Sequence, residues 1–346
     1  MTQYYVGIDL HKAVAQVCVA DARGHVVAER RLRLDGEDRG SALVDFLAEW
    51  RDGGRYVVEA VGMNRWFVNA CREAGLDVVV ADPVKLGLKT LGKKTDKRDA
   101  REMARRLRLG DIDRFAATYY PSDREYGVRK LLRVRHGLIQ VRQEVTNQIR
   151  GLLNAYLLRP PVTRLWLRKG LMWLRTCELP TDEMTICVRS LGAVMESVQE
   201  QIVCLGARID ALGKDPRVRS LVEVLPNAAA QTAATIVYEL GDVTRFRNAR
   251  AAASYAGLVP RVAQSADTSH HGRLTKRGSR ELRWTLSQWA VRLLATDPRV
   301  KAWARPRLRR AHKNKGRIAL ARRLLVGVYV MLARGEVFCL ERCLAA

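Results

Sequence analysis

Two acids stand three residues apart in "TDKRDARE", residues 95–102, among side chains that are mostly basic: Lys93, Lys94, Lys97, Arg98, Arg101, Arg105 and Arg106. At i,i+3 spacing Asp96 and Asp99 share one face of a helix. Met103 and Leu107 lie on the same face, so it turns inward. Acids on an apolar face carry a large desolvation cost unless cations or a metal ion compensate them. Two further acids end apolar runs, Asp9 after "YYVGI" and Glu59 in "RYVVEA". Four carboxylates of this kind suit magnesium, which takes oxygen ligands and phosphate oxygens. Two such ions can clamp the attacking and leaving oxygens of a phosphodiester. The bland reading is that Asp96 and Asp99 form surface salt bridges with their basic neighbours.

The elements that must position these acids follow from the apolar pattern. "YYVGIDLH", "AQVCVAD" and "HVVAERRLRL" read as three antiparallel strands. "SALVDFLAEW" reads as a helix, "RYVVEA" as a strand, "NRWFVNACREAG" as a helix and "DVVVADP" as a strand. "DKRDAREMARRLRLGD" is the helix bearing the acid pair. Three antiparallel strands followed by β-α units is the order of a ribonuclease H-like α/β fold. If so, the strands of Asp9 and Glu59 are neighbours. Further on, Leu131, Leu138, Val145 and Leu152 repeat every seven residues, in step with Val134, Val141, Gln148 and Ala155. Val188, Leu191, Met195, Val198, Ile202, Leu205, Ile209 and Leu212 make a second such seam. A helical coiled-coil hairpin results, packed on itself or on another protomer. From residue 216 the chain reads as helical, with a loop-rich stretch near 257–278. The expected domains are 1–120, 121–215 and 216–346.

Composition narrows the partners. Among 346 residues, 61 Lys and Arg face 36 Asp and Glu, a net charge of +25. A one-signed excess of this size favours a polyanion. Lys301 to Arg323 carries ten basic residues and no acid, interleaved with Trp303, Leu308, Ile318, Leu320 and Leu324. It reads as a folded basic surface, with Arg309, Arg310, Lys313, Lys315 and Arg317 as candidate nucleic-acid contacts. No 18-residue apolar run and no signal-peptide layout occur, so a cytoplasmic, nucleoid-associated protein without a membrane partner is expected. Seven scattered cysteines include no CxxC pair, and six histidines include no HExxH spacing. No structural zinc is expected.

The motifs "GIDLHK", "VVEAVG" and "KKTDKRDARE" resemble those of the DEDD transposases of insertion sequences, the insertion-sequence one-hundred-ten family that includes the Piv-like invertases. "LGDVTRFRNARAAASYAGLVPR", "GRLTKRGSRELR" and "KGRIALARRLLVGVYVMLARGE" extend the resemblance through the C-terminal half. It implies a RuvC-like domain in which Asp9, Glu59, Asp96 and Asp99 bind Mg2+, and a mostly α-helical C-terminal transposase domain with a nucleophilic serine that becomes covalently linked to DNA. It also implies donor and target DNA, a bridge RNA that guides recombination, and a homo-oligomer, dimer to tetramer, with shared active sites.

Ser265 takes the position of that serine, after "GLVPR", with Ser254 and Ser269 as rivals. Ala266 stands where the family has glycine. "LPNAAAQTA" stands where relatives carry a Gly-rich hairpin, and Asn227 alone of Asn227–Ala230 adopts left-handed geometry cheaply. Arg273, Lys276 and Arg277 would hold a strand beside Ser265. A serine is a weak nucleophile unaided. The loop holds no His or Lys base in register, so activation is expected from the magnesium on the carboxylate domain. The rival readings are a RuvC-like nuclease or junction resolvase with no covalent intermediate, a non-catalytic nucleic-acid binder, and an actin-like sugar kinase.

Overall fold

The computed structural model describes residues 3–35, 40–87, 95–265, 268–274, 278–310 and 313–345; for 260–274, 307–310 and 313 the backbone alone is described. The chain divides into two compact units, Met1–Tyr120 and Pro121–Ala346, the second holding both residues 121–215 and 216–346.

The first unit begins with a meander of β1 (Tyr4–Leu10), β2 (Val14–Asp21) and β3 (Val26–Arg33). Then come α1 (Ser41–Ala48), β4 (Gly54–Glu59), α2 (Arg65–Glu73), β5 (Asp77–Ala81), α3 (Pro83–Leu86) and α4 (Asp96–Arg108). The sheet order is β3-β2-β1-β4-β5. β1 is antiparallel to β2 and parallel to β4, and β4 is parallel to β5. Strand alternation sorts the side chains. Val6, Ile8, Leu10, Tyr56 and Val58 pack with Leu43, Phe46, Phe67 and Val68 of α1 and α2. On the opposite face Val57 packs with Met103 and Leu107, and Cys18 and Ala20 with Ala100 and Ala104, all on α4. A sheet covered on both faces explains the near-continuous apolar runs of β1, β2 and β4.

In the second unit α5 (Asp123–Asn154) opens on a capping box formed by Ser122 and Glu125. It is followed by α6 (Arg168–Thr176), α7 (Asp182–Ala211), α8 (Pro216–Val224), α9 (Ala230–Leu240) and α10 (Ala249–Tyr255). The hairpin β6 (Pro260–Ser265) and β7 (Thr268–Leu274) precedes α11 (Arg280–Thr296), α12 (Pro298–Arg310), α13 (Lys313–Arg334) and α14 (Leu340–Ala345). No helix of the described residues is long and apolar enough to cross a membrane.

α5 and α7 run antiparallel, since Arg142 Nη1 donates to Gln199 Oε1 at 2.7 Å while Arg135 lies against Gly206. On α7, Val188, Met195, Ile202 and Ile209 are buried, seven residues apart. On α5 the buried apolar positions are Val128, Leu132, Val145, Ile149 and Leu153. The heptad expected on α5 is covered only in part: Val145 is buried and Leu131 and Leu152 pack against the cores, but Val134 and Val141 are 52% and 39% exposed. The reason lies in its partners. Its first half packs against α9 and α11, where Arg129 Nε donates to the Tyr238 carbonyl at 2.6 Å and His136 Nδ1 meets Glu281 Oε2 at 2.7 Å. Its second half packs with α6, while α7 lies along both halves. A heptad seam presumes one partner along the whole helix.

Candidate functional site

The close approach of α4 to β1 is set by a glycine. Tyr5, Gly7 and Asp9 alternate onto the α4 face of β1. A Cβ at Gly7 would lie 2.1 Å from the Ala100 carbonyl oxygen and 2.6 Å from the Ala104 amide nitrogen. Only a glycine there, against a helix face of two alanines, brings the first turn of α4 down beside the end of β1. That first turn carries Asp96 and Asp99, capped by Thr95 Oγ1, which accepts from Arg98 N at 3.3 Å. Carboxylates in a first helical turn are favoured by the partial positive charge there.

Three side chains meet at this point. His11 Nε2 lies 3.3 Å from Asp9 Oδ2 and 3.3 Å from Asp96 Oδ1. The ligand atoms of Asp9, His11 and Asp96 all fall within 4.8 Å of one another. Asp9 is 5% exposed, and its Oδ2 is buried beside the His11 imidazole. Burial pushes the Asp9 carboxyl above its ordinary range; His11 opposes this, while the carboxylates of Asp96 and Asp99 add to the rise. Acids held this close, one of them buried, form a site to which a divalent cation is complementary.

Four of the basic neighbours of the acid pair, Lys97, Arg101, Arg105 and Arg106, meet other acids. Glu29 on β3 takes Lys97 at 2.7 Å and also Arg101, which holds its carboxyl down at about 2. Glu102 takes Arg105 at 2.8 Å and Arg106 at 2.7 Å and is likewise held at about 2. These four cations lock α4 to β3 and to itself and leave Asp96 facing His11.

Asp99 is buried, 6% exposed, on the same turn. Glu59 ends β4, one strand from Asp9; the pairing Ile8 with Val58 sets the two acids at adjacent strand ends, and alternation puts both on the α4 face. Neither carboxylate belongs to the tight group that Asp9, His11 and Asp96 form. His11 is the member that sequence reasoning missed. Its signal was the spacing to Asp9, two residues apart in "GIDLHK", which keeps both on one side of the chain.

Comparison with known proteins bears on this geometry. Residues 6–158, which contain all of these acids, match a sequence model of a DEDD transposase of the IS110 kind. Residues 219–305 match a model described as the transposase IS116/IS110/IS902 family. The chain carries transposase domains of that family. Among its relatives, a probable family 20 transposase of Pseudomonas aeruginosa is 28% identical over 95% of this chain and 96% of its own length. The transposase for insertion sequence element IS1111A of Coxiella burnetii is 24% identical over 96% of this chain and 90% of its own. An uncharacterized 43.6 kDa protein of insertion element IS110 in Streptomyces coelicolor is 31% identical, over 46% of this chain and 39% of its own length.

In this IS116/IS110/IS902-type transposase the remaining candidates lie in the second unit. Ser265 is the last residue of β6, paired with Thr268 at the end of the hairpin, and Ser269 and Arg273 are on β7. Ser254 is exposed on α10. Lys276 and Arg277 lie outside the described residues, as does Ala266. Arg309 and Arg310 end α12 and Lys313 begins α13, while Lys315 and Arg317 are exposed on α13. Asn227 takes φ 54°, the left-handed geometry open to it, with its Nδ2 donating to Thr296 Oγ1 at 3.0 Å. Ala229, at the N-cap of α9, offers no side-chain cap.

Proposed function

We propose that this transposase cuts and joins DNA strands at the Asp9 cluster, with Asp9, Glu59, Asp96 and Asp99 holding magnesium. The observation that carries the reading is the buried carboxylate of Asp9, gathered with His11 and Asp96 so that their ligand atoms lie within 4.8 Å of one another. When bound, a divalent ion supplies charge stabilisation for the oxygens of a phosphodiester. The protein's part is to fix the ligands: Gly7 seats α4, and His11 steadies Asp9 and Asp96. Asp9→Ala and Asp96→Ala should each abolish magnesium-dependent cleavage of DNA carrying the element's ends while the fold persists. Normal cleavage by either variant would sink the assignment.

Ser265 is the nucleophile in this reading. Its oxygen bonds to phosphorus as the bond from phosphorus to a deoxyribose oxygen breaks, and the hydroxyl proton ends on that leaving oxygen. The placement of Ser265 at a hairpin end and its position after "GLVPR" support the role. Four carboxylates with a metal can also direct water at the phosphodiester, and the serine goes beyond that chemistry. A denaturant-stable protein–DNA adduct, mapped by peptide analysis, separates the two. Attachment at Ser265 supports it, attachment at Ser254 or Ser269 moves it, and no adduct leaves the hydrolytic reading.

The same reading includes donor and target DNA, a bridge RNA and a homo-oligomer of two to four copies. The +25 charge supports a polyanionic partner, and the exposed stripe of Val134 and Val141 supports self-association. Sequencing the nucleic acid that copurifies with the protein tests the RNA: random cellular RNA would count against a dedicated guide.

A further inference from the structure

Most arginines whose charge the fold engages meet a carboxylate: Arg55 with Asp113, Arg101 with Glu29, Arg133 with Glu239, Arg299 with Asp297. Two on α5 do not. Arg135 Nη1 donates to Gln231 Oε1 at 2.7 Å, and Arg142 Nη1 donates to Gln199 Oε1 at 2.7 Å, with its guanidinium 4.4 Å from the centroid of Trp166. Both partners are neutral amides. Both arginines are half-buried, and Arg135 Nε is buried with no hydrogen-bond partner. Among the described residues no carboxylate lies within ion-pairing distance of either; Asp210 is the acid whose field reaches Arg135. Burial lowers both guanidinium pKa values, and Arg135 lowers that of Arg142 further, so the two cations repel one another.

A third positive element lies alongside. Gln231 sits in the first turn of α9, whose N-cap Ala229 supplies no acceptor. The partial positive charge of that helix end therefore goes uncompensated by any cap. Two desolvated cations and an uncapped helix N-terminus, held together by neutral amides, are an unfavourable arrangement unless an anion completes it. The planar guanidinium fork matches phosphate oxygens.

We infer that Arg135 and Arg142 form a phosphate-binding site on α5, bordered by Gln199 of α7 and Gln231 of α9, that takes phosphodiesters of a nucleic-acid strand. This rests on the reading of the chain as a nucleic-acid enzyme. It names a contact that the basic run at 301–323 does not include.

The test compares the full-length protein with R135Q/R142Q and with R135K/R142K. Affinity for a DNA duplex and for an RNA strand is measured across a salt series, with thermal melting as the control for folding. Each phosphate neutralised contributes about 0.9 to the slope of log affinity against log salt on duplex DNA and about 0.7 on a single strand. The glutamine pair should therefore flatten the slope by about 1.8 on DNA or about 1.4 on RNA, with an unchanged or higher melting temperature. The lysine pair should keep the slope. Flattening on one nucleic acid alone identifies the strand that sits there. An unchanged slope on both, in a folded variant, overturns the site, and a fall in melting temperature with unchanged slope assigns the arginines to packing. If the unmodified protein binds neither nucleic acid, the functional reading fails instead. Inorganic tripolyphosphate then decides the site alone: it should raise the melting temperature of the unmodified protein and not of the glutamine variant, and equal shifts would overturn it.

Discussion

Gly7 of β1 lies so close beneath α4 that a Cβ on it would meet the Ala100 carbonyl oxygen at 2.1 Å. Backbone on both sides cannot yield as a flexible side chain would. Gly7→Ala should therefore destabilise the first unit by about 1–3 kcal/mol, the usual cost of overpacking. It should also lose DNA cleavage at temperatures where the protein is still folded, because a displaced α4 takes Asp96 and Asp99 with it. Thermal melting and a cleavage assay on the same preparation check both. Full activity in a folded variant would show that α4 need not sit this close.

Asp9 is a buried acid among acids, so the metal-free fold bears its charge at a cost. Asp9→Asn should leave the melting temperature without divalent ions unchanged or higher. Adding magnesium or manganese should raise the melting temperature of the unmodified protein, as ligand binding to the folded state requires. The same addition should do little for Asp9→Asn. Equal shifts in the two proteins would place the ion elsewhere.

Glu29 gives a pH signature. Its carboxyl is held at about 2 in the folded state, against an ordinary value of 4.5, by Arg101 first and Lys97 after it. A lowered acid contributes stability above its unfolded value, and the contribution is lost as pH falls from 4.5 towards about 2. Glu29→Gln should destabilise the protein by about 1 kcal/mol near neutrality, the order expected for a partly exposed network. The gap should close in acid. Denaturant melts of both proteins across that range measure it, and a constant gap would refute the linkage.

In the second unit His136 and Glu281 form a buried pair, 6% and 5% exposed, with the imidazole stacked on Trp284 at 3.9 Å. Glu281 Oε1 has no hydrogen-bond partner, and burial pushes its carboxyl above the ordinary range. Removing the histidine alone strands the acid. His136→Ala should cost about 3–5 kcal/mol, and the double replacement His136→Leu with Glu281→Met should recover much of it. Calorimetry of the three proteins decides; no recovery in the double variant would mean that the pair matters for shape rather than charge.

The stripe of Val134 and Val141 faces solvent in the single chain. Replacing both with Lys should lower the assembly state seen by light scattering and leave helicity unchanged. An unmodified protein that runs as a monomer would dispose of this role for the stripe.

What the sequence disclosed, and what it hid, follows from how far each signal reaches along the chain. The five strands of the first unit and α4 were legible because a sheet covered on both faces demands unbroken apolar runs, as in "YYVGI" and "DVVVA". The adjacency of Asp9 and Glu59 followed once the strand order was granted. His11 was legible only in its spacing to Asp9; its contact with Asp96, far away in sequence, was not. The partners of Lys97 and Arg101 were hidden for the same reason, since Glu29 is brought to them by the sheet. On α5 the heptad at Leu131, Val134, Leu138 and Val141 is present in the residues, but the helix changes partners along its length, and a periodic pattern does not say which of two stripes is covered.

The acid cluster draws on both ends of its unit, Asp9 from the first strand and Asp96 from the last long helix. A chain leaving the ribosome has β1 to β5 available for pairing before α4 has been made, and domains fold from the N-terminus as they emerge. Until residue 108 is out, the strand bearing Asp9 lacks the helix that completes the cluster. Ser265, in the second unit, comes later still. A nascent copy of this transposase therefore makes its first 95 residues without the helix that brings Asp96 to Asp9 and His11, and any product terminated short of α4 lacks that cluster.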